Sequence, residues 1–151
     1  MSLQAQCFLP DADATEALGA RLAQLAPPGF VTLEGVLGAG KTTLVRGFLR
    51  ALGHTGSVRS PTYTLVEPYR LGAVDIFHMD LYRLTDPAEL EELGVRDYFG
   101  SGAWVFVEWP ERGAGVLPEP ELRLKLAPEG HGRRAEAVAV GPLGRNWLQQ
   151  L

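Results

Sequence analysis

An α/β fold is what the sequence predicts, and three observations carry it. Short apolar runs alternate with helical patterns along the chain. One such junction is a glycine-rich loop between an apolar run and a periodic helix, Gly35-Val36-Leu37-Gly38-Ala39-Gly40-Lys41-Thr42. The chain has 151 residues, the size of one domain, with 46% apolar and 21% charged residues, enough to close a single core without disulfides.

The elements follow in order. Gln4–Leu9 is short and half apolar, and reads as an edge strand. Asp11 and Asp13 are N-cap candidates for a helix to about Gln24, with Leu18, Leu22 and Leu25 at helical spacing. Pro27-Pro28-Gly29 stops it. Phe30-Val31-Thr32-Leu33 is an uninterrupted apolar strand. After the glycine loop a helix runs from Lys41 to about Leu52, with Leu44, Phe48 and Leu52 on one face and Gly53 placed to close it. Residues 54–62 read as loop. Residues 63–69 and 74–79 have strand composition, joined by a turn at Gly72. Asp86-Pro87-Ala88-Glu89 is a capping box with proline at the first helical position, and the helix ends at Gly94. Residues 104–107 form a central strand ending at Glu108. Pro110, Gly113 and Gly115 make the next stretch irregular. Residues 122–126 alternate as a half-exposed strand does, 135–140 supply an antiparallel partner, and 142–151 a terminal helix. No repeat or linker divides residues 1–151, which read as one domain.

Charge and cysteine content narrow the function. Fourteen basic against 18 acidic residues give a net charge of −4. A protein that grips nucleic acid or an anionic membrane by itself needs a basic face. The single cysteine, Cys7, forms no internal disulfide, which fits a reducing compartment. The first residues carry no leader pattern and no segment is long and apolar enough to span a bilayer, so the expected location is the cytoplasm. There is no Cys/His set for zinc and no Gly-x-Ser-x-Gly for a serine hydrolase.

The glycine loop carries the chemistry. It fits G-x-x-x-x-G-K-[ST], the phosphate-binding loop of P-loop NTPases. Glycines let backbone N–H groups wrap a phosphate, and the helix behind adds its positive end. Lys41, one of only two lysines beside twelve arginines, reaches the β- and γ-phosphates, and Thr42 offers a hydroxyl to Mg²⁺. From this composition the pattern arises by chance in roughly two of a thousand such chains, so the motif stands as a nucleotide site. Such a site needs acids for the cation and for water. Asp80 and Glu108 close two apolar strands, where a carboxylate faces the ligand crevice of an open α/β sheet. Their division of labour is open. The chain has one asparagine, Asn146, and no N-K-x-D guanine motif, which favours ATP. Trp109 is placed to contact nucleotide or a moving loop. His78, two residues before Asp80, reads as a hydrogen-bonded structural histidine ahead of a catalytic one.

Four motifs in this order and spacing resemble the bacterial TsaE (YjeE) family: Leu37-Gly38-Ala39-Gly40-Lys41-Thr42-Thr43, Ser60-Pro61-Thr62-Tyr63-Thr64-Leu65-Val66, His78-Met79-Asp80-Leu81-Tyr82-Arg83-Leu84, and Glu108-Trp109-Pro110. The likeness covers about residues 10–135. It implies a P-loop fold with a mixed central sheet flanked by helices, and an ATPase working with the proteins TsaB and TsaD in threonylcarbamoyl-adenosine modification of tRNA, tRNA being met through that complex. It implies Thr42 and Glu108 as magnesium positions with Asp80 the other key acid. Ser60, Thr62, Tyr63 and Thr64 become a switch-like loop near the γ-phosphate. Gly132-Arg133, and the segment around Ala12 to Thr15, come near the nucleotide. One departure is Val36, where the family usually has an acid. The alternatives are a small-molecule or nucleoside kinase and a non-hydrolysing ATP-dependent assembly module.

Overall fold

In the computed structural model, residues 4–151 are described. Met1 to Leu3, the start of the stretch read as leaderless, lie outside them. Seven strands form one mixed sheet: β1 (Gln4–Leu9), β2 (Phe30–Glu34), β3 (Val66–Leu71), β4 (Val74–Asp80), β5 (Trp104–Glu108), β6 (Leu122–Glu129) and β7 (Gly132–Ala139). Their order is β1-β7-β6-β2-β5-β4-β3. The central four, β6, β2, β5 and β4, are parallel, while β1, β7 and β3 pair antiparallel at the margins. The helices are α1 (Ala12–Leu22), α2 (Lys41–Ala51), α3 (Ala88–Glu92) and α4 (Pro142–Gln150). No helix among the described residues is long and apolar enough to cross a membrane.

The central strands are apolar on both faces because both are covered. On one face Val31, Leu33 and Phe106 pack under α1, α2 and α4 with Leu22, Leu44, Phe48 and Trp147. On the other, Phe30, Val105 and Val107 pack with Leu90 of α3 and Val95. The α1–α2 contact is close. A Cβ at Gly47 would overlap the Glu16 carbonyl, and one at Gly19 the Leu44 carbonyl. Glycine at both positions lets the backbones touch and holds α2 down on the sheet.

Most expected elements are present, with five differences. The third strand begins at Val66, not at residue 63. Leu65 takes a left-handed φ of 68°, so the β-favouring run Tyr63-Thr64-Leu65 turns. The helix α1 stops at Leu22, two residues early. The hairpin β6–β7 is longer than alternation indicated and closes at Glu129↔Gly132, around Gly130 at φ 58°. The capping box before α3 is not reciprocal: Asp86 accepts from the Ala88 N–H at 2.9 Å, while Glu89 accepts from Thr85 Oγ1 at 2.8 Å. Pro87 stands at the N-cap, one residue before the position expected. The predicted caps at Asp11, which accepts from the Ala14 N–H at 2.8 Å, and at Gly53, with φ of 103°, are both in place.

Candidate functional site

Parallel strands that share a direction bring their carboxyl ends to one edge. Here β2 runs into the glycine loop, and Asp80 of β4 stands in register with Glu108 of β5. Beside them opens a cleft of about 460 Å³.

The loop shapes one wall. Gly35, at φ 151°, lies so near the Leu126 carbonyl that a Cβ there would sit 2.5 Å from its oxygen. Gly40 is the N-cap of α2 with φ of 106°, a conformation that costs glycine nothing. The first helical bond runs from the Leu44 N–H to the Gly40 carbonyl at 2.9 Å. The preceding N–H groups of Lys41, Thr42 and Thr43 therefore have no intrahelical acceptor, and the positive end of α2 faces the cleft with them. Arg133 braces the loop from outside: Nε donates to the Ala39 carbonyl and an Nη to the Gly38 carbonyl, both at 2.9 Å.

Lys41 is 4% exposed. Its Nζ donates to the Gly35 carbonyl at 2.5 Å and lies 4.0 Å from the centroid of the Trp109 ring. Burial pulls its pKa below the ordinary lysine value, and the carboxylates of Glu108, Asp80 and Glu111 pull it back up. Trp109 holds this place with a left-handed φ of 57°.

Two buried acids face Lys41. Glu108 Oε2 accepts from Thr42 Oγ1 at 3.3 Å and lies 2.6 Å from Nε2 of the fully buried His78. Asp80 Oδ1 accepts from the Tyr82 N–H at 2.9 Å. Its Oδ2 accepts from Ser60 Oγ at 3.1 Å and Thr62 Oγ1 at 3.0 Å. The segment 60–65 is thus tied to Asp80 by hydroxyls, and Leu65 adds its carbonyl to the Asp80 N–H at 3.0 Å.

The cleft gathers most of the residues picked from the sequence: Leu37, Gly38, Gly40, Lys41, Thr42 and Thr43 from the loop, Ser60, Thr62, Asp80, Glu108, Trp109, and Gly132 with Arg133. Three stand apart. Ala39 packs its methyl into the core. Tyr63 is 81% exposed, with the Arg83 guanidinium 4.2 Å over its ring. Thr64 Oγ1 donates outward to Glu67 at 3.1 Å. Ala12 and Thr15 do reach the cleft, together with Leu9, Asp11 and His131, which sequence reasoning missed. The signal for Asp11 was spent on its cap. Leu9 arrives only through its pairing with Arg133 across β1–β7.

A buried cation, free helix-terminal N–H groups and two carboxylates around one cleft make an anion site with acid groups at its rim. Among the described residues no three His, Cys, Asp or Glu side chains cluster closely enough to cage a metal.

Comparison with known proteins places the chain among relatives. The family model for "Threonylcarbamoyl adenosine biosynthesis protein TsaE" matches residues 9–136. A tRNA threonylcarbamoyladenosine biosynthesis protein TsaE of Haemophilus influenzae is 50% identical over 117 residues, 78% of this chain and 74% of the relative. That of Bacillus subtilis is 41% identical over 121 residues, 80% of this chain and 75% of the relative. The crystal structure of YdiB from Bacillus subtilis superposes with a TM-score of 0.85 at 30% identity, covering 99% of this chain and 95% of that one. Motifs, fold and relatives agree, and the chain belongs to the TsaE family of tRNA threonylcarbamoyladenosine biosynthesis.

Proposed function

We propose that the chain is a single-domain, P-loop, Mg²⁺-dependent ATPase that acts in the cytoplasm with TsaB and TsaD in threonylcarbamoyladenosine modification of tRNA. The observation that carries the reading is the meeting of the Gly35–Thr42 loop, buried Lys41 and the strand-end acids Asp80 and Glu108 around one cleft.

The donor set fits Mg²⁺. This cation is usually held by one or two carboxylates together with substrate phosphates and water, not by a protein cage. Thr42 Oγ1 and the Glu108 carboxylate, already bonded to each other at 3.3 Å, offer hard oxygen ligands. Held there, the cation would offset the negative charge of the phosphates. The rest falls to the chain. The α2 N–H groups and Lys41 bind the phosphates, and burial of Lys41 strengthens that attraction. Trp109 and Leu37 give the cleft apolar lining. Asp80 orients the attacking water and accepts its proton at a carboxylate oxygen. Oδ2 of the same carboxylate holds Ser60 and Thr62, so a change of charge on Asp80 is passed to the segment 60–65. The net charge of −4 suits a helper that leaves tRNA to its partners.

The test is phosphate release from ATP with Mg²⁺, by the chain alone and with TsaB, TsaD and tRNA. Strong stimulation by the partners is expected. Lys41→Ala loses a charged partner of the phosphates, so ATP affinity falls about 100-fold, equivalent to roughly 2.7 kcal/mol. Unchanged ATP binding by that variant overturns the phosphate-loop assignment. Transfer of label to a metabolite makes the chain a kinase, and hydrolysis indifferent to the partners overturns the partner-driven reading of the ATPase.

A further inference from the structure

His78 is a fully buried polar side chain beneath the cleft, with no task in the chemistry proposed above. It belongs to β4, two residues before Asp80, and shares its face of the sheet with Phe106 and Glu108 of β5. Its Nε2 is 2.6 Å from Glu108 Oε2, the same oxygen that takes the Thr42 hydroxyl at 3.3 Å. A carboxylate only accepts, so the ring's Nε2 carries the hydrogen. Nδ1 is buried with no partner.

The consequence lies in which oxygen is used. Two donors converge on Oε2, and Oε1 has no protein partner among the described residues. A carboxylate on a free side chain would turn about its last torsion, which is soft. Held from below through Oε2, it keeps Oε1 available to the cleft and keeps the Thr42 hydroxyl hydrogen engaged, so that the Thr42 oxygen lone pairs are free for a cation.

We propose that His78 is a positioning residue for the divalent cation, acting through Glu108: it sets the carboxylate and the Thr42 hydroxyl, and thereby governs cation affinity and not nucleotide affinity. The inference rests on the proposed Mg²⁺-nucleotide site. Groups behind a metal ligand commonly change metal affinity about 10–100-fold when removed.

The experiment is binding, not turnover. ADP affinity is measured by calorimetry in excess chelator, and Mg²⁺ is then titrated into the ADP complex. His78→Leu removes the donor, and His78→Gln returns an N–H near the place of Nε2. In His78→Leu the Mg²⁺ midpoint rises at least about tenfold, while metal-free ADP affinity stays within about twofold. His78→Gln restores most of the midpoint. In a Glu108→Gln background, His78→Leu adds nothing further, because the two act as one unit.

An unchanged midpoint in His78→Leu overturns the proposal. So does equal loss of ADP affinity with and without Mg²⁺, which marks a merely structural histidine. Failure of His78→Gln to rescue, in a protein that melts like wild type, also overturns it. If wild-type ADP binding shows no response to Mg²⁺, the cation site itself fails and the role of His78 goes with it.

Discussion

The two walls of the cleft are built on different principles. The loop 35–40 is set by backbone: positive-φ glycines, a helix start, and carbonyls braced by Arg133. Beneath it α2 is pressed against α1 through Gly19 and Gly47. The opposite wall, residues 60–65, has no regular hydrogen-bond ladder. It hangs on Ser60 and Thr62, both donating to one oxygen of Asp80, and on the turn from the Leu65 N–H to the Pro61 carbonyl at 2.8 Å. One wall is ready before any ligand arrives, so binding there orders little. The other depends on the state of a single carboxylate, so it is the wall able to respond.

The largest break in that contrast is Asp80→Ala. It removes the acceptor of two hydroxyl bonds to a charged group, together worth on the order of 2 kcal/mol. Opening of residues 60–65 then becomes about 30-fold more frequent, and brief proteolysis, which tracks the open population, cuts there correspondingly faster. Thr62→Val alone, with Ser60 still bonded, gives about fivefold, near 1 kcal/mol. Lys41→Ala, on the other wall, leaves cleavage at 60–65 unchanged. Equal protection in Asp80→Ala and wild type would show that the turn and not the hydroxyls holds this wall.

The same difference decides what could be read from the sequence. The first wall was legible because its signals are local: an apolar run, glycines at set intervals, then Leu44 and Phe48 at helical spacing. The second was misread in part. Tyr63, Thr64 and Leu65 have the composition of a strand, and only the distant Asp80, with Leu65 at positive φ, turns them. Tyr63 and Thr64, grouped with the switch by resemblance, face away from the cleft. Asp80 and Glu108 were legible as strand ends. Their neighbours Leu9 and His131 were not, because no local pattern announces the β1–β7 pairing that joins residue 9 to residue 133. The β6–β7 hairpin is longer than the alternation at 122–126 shows, because Pro128 and Gly130, residue types that usually interrupt strands, sit within and at the tip of the pair.

Lys41 sharpens the comparison through pH. Burial lowers its pKa in the folded chain below the ordinary value of 10.5. Above the folded pKa the native state then binds fewer protons than the unfolded one, so stability rises with pH. The burial penalty is present in full below the folded pKa and is relieved as pH climbs to 10.5. Lys41→Met has no such slope. Tyr69, whose pKa burial pushes up, acts in the opposite sense, but equally in both proteins, and cancels in the difference. Urea unfolding of the two proteins at neutral and alkaline pH is the measurement. Wild type gains on the variant as pH rises. Parallel curves would mean that the ready-made wall carries its cation without strain.

Val36→Asp gives the smallest effect and tests the first wall most directly. Val36 is 59% exposed at the tip of the loop, between glycines that carry its backbone shape. If the wall works by backbone alone, a substitution at an exposed tip leaves stability within about 0.5 kcal/mol. With nucleotide bound as proposed above, a carboxylate at this exposed position would act on the phosphates through solvent, where a Debye length of about 10 Å at 0.1 M salt limits the repulsion. ADP affinity therefore falls by about threefold or less at low salt, and the deficit disappears as salt is raised to roughly 1 M, where the Debye length is about 3 Å. Calorimetry at two salt concentrations, with a melting curve, checks both parts. A loss that persists in high salt would mean the side chain at position 36 shapes the loop, and that the glycines do not build this wall by themselves.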